Sequence, residues 1–102
     1  MILDVALLDV KQGQQAAFEM AFAEAQDIIS EMSGYLSHQL QKCIEKDNRY
    51  VLLVNWETLA DHQVGFRQSA EYQQWRDLLH HFYLNFPEVE HFTALYPNDA
   101  GS

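Results

Sequence analysis

Basic residues are scarce. Six Lys and Arg stand against fifteen Asp and Glu, and the formal charge is -9 at pH 7. Nucleic acid and anionic membranes are polyanions that repel such a chain, so neither is an expected partner. Cysteine is nearly absent. Cys43 stands alone, which excludes an internal disulfide and suits a reducing cytoplasm, the expected location. No apolar run approaches the ~20 residues of a membrane-spanning helix. Asp4 comes early and no basic patch precedes an apolar segment, so no signal peptide is expected. Metal-binding spacings are missing too, with no His-x-x-x-His and no Cys-x-x-Cys. The adjacent His80 and His81 project about 100° apart on a helix and do not converge on one ion. No metal and no cofactor are expected. A Gly-rich phosphate loop, a hydrolase elbow and a paired-carboxylate motif are also lacking, and Cys43 has no partner His that would make it a nucleophile.

What is present is a globular pattern, 48% hydrophobic and 21% charged. One domain is expected over residues 1–97, followed by a flexible tail at 98–102. Tyr50 to Trp56 sets Tyr50, Leu52, Val54 and Trp56 on one side of a strand and Val51, Leu53 and Asn55 on the other. A strand apolar on both faces is usually covered on both. In so short a chain the second cover is expected to be another subunit, so a homodimer is predicted.

In chain order, residues 2–10 read as a strand and 14–32 as a helix. The helix has an apolar stripe through Phe18, Ala21, Phe22, Ala25, Ile28, Ile29 and Met32, and Gly34 follows it as a left-handed stop. Residues 35–44 read as a second strand, with His38 on a face with Leu36 and Leu40. A turn at Asp47-Asn48 makes a hairpin with the third. Thr58, with Asp61 three residues on, caps a short helix weakened by Gly65. Ser69 caps a second helix, whose stripe of Tyr72, Trp75, Leu79 and Phe82 precedes Pro87. Residues 88–96 read as a fourth strand. The order strand, helix, strand, strand, helices, strand predicts an α+β, ferredoxin-like, four-stranded antiparallel sheet with helices on one face.

The segments GYLSHQLQKCIE, RYVLLVNWETLADH and GFRQSAEYQQWRDLLHHFYLNFPEVEHF resemble antibiotic biosynthesis monooxygenase domains of the dimeric α/β-barrel superfamily. The resemblance spans residues 2–96. It implies a cofactor-independent monooxygenase that acts on a small aromatic or polyketide-like substrate, held between sheet and helices. Many relatives carry a Glu in the third strand and a His three residues before the helix-opening Ser. Here those places hold Asn55 and Phe66. The haem-degrading branch uses an Asn in strand one, a Trp and a ligating His. Strand one has no Asn here, and the other two places fall at Phe66 and near Arg76, so haem chemistry is not expected. Asn55 and Trp56 are a loose counterpart of the Asn and Trp of quinone-forming relatives.

Six residues are candidates for the site. Asn55 is the candidate oxyanion partner, and its plainer reading is an amide bonded to a neighbouring strand. His38 is a candidate base, on the expectation that the hairpin register sets it on one face with Asn55. Its plainer reading is a satisfied interior histidine. Tyr72 and Trp75 are candidate stacking walls for a flat substrate, although an aromatic stripe at helical spacing is more often core. Trp56 and His62 complete the substrate-binding set, His62 at a pocket mouth. The plainer reading of His62 is a solvent-facing helix position. The alternative function is a non-catalytic, small-ligand-binding or stress-related barrel.

Overall fold

A computed structural model describes residues 1–97. The predicted tail at 98–102 lies outside the described residues. Four strands, β1 (Ile2–Asp9), β2 (Tyr35–Lys42), β3 (Arg49–Trp56) and β4 (Val89–Phe92), form one antiparallel sheet in the order β2-β3-β1-β4. Helices α1 (Gln15–Ile29) and α2 (Ala70–Leu79) cover one face, so the α+β ferredoxin-like expectation holds. β4 is shorter than the expected 88–96, and β2 ends at Lys42 rather than Ile44.

The core is built by strand parity. Ala6 and Leu8 of β1, and Tyr50, Leu52, Val54 and Trp56 of β3, point to the helices and are buried. Phe18, Phe22, Ala25 and Ile29 of α1 meet them, and Trp75 and Leu79 of α2 close the layer. The opposite sheet face has no cover among the described residues. It presents Leu3, Val5, Leu7, Val51 and Leu53, of which Leu7 is 46% exposed.

Three local devices place the segment between β3 and α2. Gly34 has φ +83°, a conformation that disfavours any side chain, and a Cβ there would collide with the Asp61 side chain. Asp61 Oδ2 accepts from the Thr58 backbone N–H (3.1 Å) and hydroxyl (2.8 Å), and the Asp61 N–H donates back to Thr58 Oγ1 at 3.2 Å. This is the reciprocal cap expected from Thr58 and Asp61. The turn that follows, Asp61–Phe66, is π-helical rather than α-helical, with the Arg67 N–H donating to the His62 carbonyl at 2.9 Å. Such wide turns recur at functional sites, and here the turn directs both His62 and Phe66 inward. Ser69 caps α2 as expected, accepting from the Tyr72 N–H at 3.0 Å.

Candidate functional site

A cavity lies between the sheet and α2. Its floor is β1, through Asp4, Ala6 and Leu8. His62, Phe66 and Arg67 form one wall, Tyr72, Trp75 and Tyr83 the other, and Phe86 and Pro87 stand at the mouth. The water-accessible space is about 50 Å³, enough for roughly three to five waters at 10–15 Å³ each.

Two of the cavity's polar groups are buried beyond what an apolar core normally tolerates. Asp4 is 4% exposed and His62 is 4% exposed. Asp4 Oδ2 lies 3.4 Å from Trp56 Nε1, which donates to it, and 3.3 Å from His62 Nε2. The other nitrogen of His62, Nδ1, lies 2.8 Å from His91 Nε2. The sheet register brings His91 there, because it pairs directly with Asp4 across β4 and β1. Trp56 stacks on His62 with ring centres 5.4 Å apart and planes at 17°, which fixes the imidazole plane.

Burial pushes the Asp4 carboxyl up to about 6, against smaller opposing effects of the Trp56 hydrogen bond, His91 and Arg67. Burial also pulls His62 down to about 4, with His91 and Arg67 adding to the shift. At neutral pH Asp4 is therefore an anion and His62 a neutral ring, so their 3.3 Å contact is not an ion pair. One proton arrangement suits all three residues: a proton on His62 Nε2 faces Asp4 Oδ2, and His62 Nδ1 is then the acceptor for Nε2–H of His91. Asp4 and His91 occupy opposite nitrogens of His62, so they form a chain and do not converge on a point. Among the described residues no cluster of His, Cys, Asp or Glu is placed to hold a metal ion.

The expected joint site of Asn55 and His38 does not form. His38 pairs with Val54, and Asn55 pairs with Ser37, so the two lie on opposite sides of the sheet. An irregularity between Tyr35 and Ser37 sets this register. It turns Tyr35 toward the helices, where it packs on Trp56, and leaves Leu36 45% exposed. Asn55 stands on the uncovered face, donating to Ser37 Oγ at 3.0 Å. His38 is on the helix side but both its nitrogens are held, Nδ1 by the Tyr35 hydroxyl at 2.5 Å and Nε2 by Gln26 Oε1 at 3.0 Å. It is a satisfied interior histidine. Tyr72, Trp75 and His62 all line the cavity, and the solvent-facing reading of His62 is corrected by its burial. Trp56 is fully buried behind His62 and supports the site from underneath.

Sequence reasoning passed over Asp4 and His91. A signal existed, since Asp4 shares the parity of Ala6 and Leu8 in an apolar strand. An inward charge there demands a partner. The partner's identity depends on the β1–β4 register, which the sequence does not give.

The family model for antibiotic biosynthesis monooxygenases matches residues 1–78. The chain belongs to the antibiotic biosynthesis monooxygenase family. It is 54% identical over 92 residues to YczJ of Bacillus subtilis strain 168, a protein without a characterised function, covering 90% of this chain and 97% of YczJ. A solved Bordetella bronchiseptica structure with the family's designation is 36% identical, with a TM-score of 0.89 over 93% of this chain and 97% of that one. SnoaB of Streptomyces nogalater, a cofactor-independent oxygenase, shares the fold at 23% identity, with a TM-score of 0.82 and 94% of each chain covered.

Proposed function

We propose that this family member is a cofactor-independent monooxygenase of small aromatic or polyketide-like molecules, acting as a homodimer in the cytoplasm. The observation that carries the reading is a buried, basic carboxylate opening onto an aromatic-lined cavity. Chemistry without a cofactor needs a deprotonated substrate, because the substrate anion is the electron donor to O₂. A ring methylene then becomes a carbonyl, one oxygen atom entering the product and the other leaving as water. The substrate supplies all the electrons. The protein has to bind the anion, stabilise its developing charge and exclude bulk water.

Tyr72 and Trp75 are the stacking walls in this reading, and Arg67 is the countercharge for an anionic oxygen. Arg67 already lies over the Tyr72 ring, 5.4 Å from its centre. His62 and Trp56 hold Asp4 from behind. Asn55 and His38 take no part in this step, since one faces away and the other has no free nitrogen. The uncovered sheet face supports the homodimer, because its apolar centre is of a kind usually buried against a partner. No helix among the described residues is long and apolar enough to cross a membrane, and the free Cys43 suits a reducing compartment.

One observation favours the second reading, a non-catalytic ligand-binding barrel. The free cavity of about 50 Å³ is far below the roughly 300 Å³ at which small-molecule sites begin, so side chains must move to admit a bicyclic ligand. Oxygen uptake separates the two readings. Chelator-treated protein mixed with an anthrone is expected to consume one O₂ per anthraquinone formed, with the second oxygen atom leaving as water and no peroxide released. Ligand binding with oxygen uptake no faster than in buffer would establish the binding protein instead.

A further inference from the structure

We propose that Asp4 is the proton acceptor of this cavity, oriented by the His62–His91 chain behind it. The inference rests on the cavity being the substrate site. Asp4 accepts from Trp56 through Oδ2, His62 Nε2 lies 3.3 Å from the same oxygen, and Asp4 lines the cavity, so Oδ1 is the oxygen left for a ligand. The fitting ligand class is an aryl or polyketide-type ketone with an acidic methylene beside the carbonyl. In the step proposed, a methylene C–H bond breaks and the proton passes to Asp4 Oδ1. The electron pair moves onto the carbonyl oxygen, giving an enolate that faces the Arg67 cation. No oxidant takes part in this step.

The surroundings of Asp4 fit a base. Trp56 of β3 is a neutral donor, His62 and Arg67 come from the segment before α2, and His91 comes from β4. Tyr72 of α2 and His80 just beyond it line the same cavity. A carboxylate with its basicity raised by burial is better matched to a weak carbon acid than an exposed one. His62 serves as a positioning residue. Its Nε2 stands 3.3 Å from Oδ2, and His91 on Nδ1 favours the tautomer with the proton on Nε2.

The test is proton exchange without oxygen. The intact protein is incubated anaerobically with 2-tetralone in D₂O, and deuterium incorporation at the benzylic methylene is followed. The parent protein is expected to accelerate exchange over buffer, and Asp4→Asn to lose about 10²-fold of that acceleration, the usual contribution of a general base. His91→Gln keeps an N–H for His62 Nδ1 and is expected to retain more exchange than His91→Ala, which leaves that nitrogen without a donor. Parent-like exchange in Asp4→Asn, or no acceleration by the parent protein, overturns the assignment. Nitrogen-15 spectra of the unsubstituted protein give a check independent of any variant's folding. His62 must carry its proton on Nε2, and a proton on Nδ1 instead refutes the chain. Exchange without oxygen uptake would sink the monooxygenase reading and leave Asp4 as the base. Uptake without exchange would do the reverse.

Discussion

Asp4→Asn and His62→Gln are expected to tilt the stability–pH curve in opposite directions. Asp4 has a folded pKa raised from 3.8 to about 6. Its favourable contribution is fully present below pH 3.8 and is lost as the pH rises through about 6. His62 has a folded pKa lowered from 6.5 to about 4. Its contribution is present above pH 6.5 and is lost as the pH falls through about 4. The two windows overlap almost completely with opposite slopes, so in the parent protein they nearly cancel. Removing Asp4 leaves the His62 slope, and stability relative to the parent should climb by about 2–3 kcal/mol from pH 4 to pH 6.5. Removing His62 leaves the Asp4 slope, and relative stability should fall by about 2–3 kcal/mol over the same range. Urea unfolding at four or five pH values reads both. Difference curves that stay level for either variant would mean that its group is not held in the buried, charge-disfavouring setting described.

Leu53→Lys is expected to convert a dimer into a monomer. Leu53 lies at the middle of the uncovered sheet face, opposite Val5 of β1 and Gln39 of β2. In a face-to-face dimer a lysine there is buried without a partner, which costs about 3–5 kcal/mol per unpaired charge. The face is symmetric in a two-fold dimer, so the charge enters twice. Light scattering at micromolar protein should give about twice 11.9 kDa for the parent and 11.9 kDa for the variant. Because folding and assembly are linked, the variant should also melt at a lower temperature. A parent protein that remains at 11.9 kDa would remove the homodimer from the account.

The fold was legible because each of its signals is local. The alternating Tyr50–Trp56 run, the α1 stripe and the Thr58 and Ser69 caps each act within a few residues, and each appears in the structure; Gly34 is left-handed as expected, but α1 ends earlier, at Ile29 with Ser30 as its cap, rather than at residue 32. The site was legible only in part. Tyr72, Trp75 and His62 reach the cavity as helix positions that local spacing identifies. Asn55 and His38 were misjoined because face-sharing across a hairpin turns on register, and the irregularity at Tyr35–Ser37 is not encoded in alternation. Asp4 and His91 lie 87 residues apart in the chain and meet only through the β1–β4 pairing. The solvent-facing alternative for His62 failed for a related reason. A π-helical turn rotates side chains differently from the α-helix that its spacing suggested.

The most direct measurement is where an aromatic ligand binds. Titrating isotope-labelled protein with a dihydroxy-aromatic under anaerobic conditions and mapping the shifted resonances locates it. Movement centred on His62, Phe66, Tyr72 and Trp75, with the Asp4 carboxyl shifting alongside, is the result predicted. Shifts centred instead on Ser37, Leu53 and Asn55, on the opposite face of the sheet, would contradict the account.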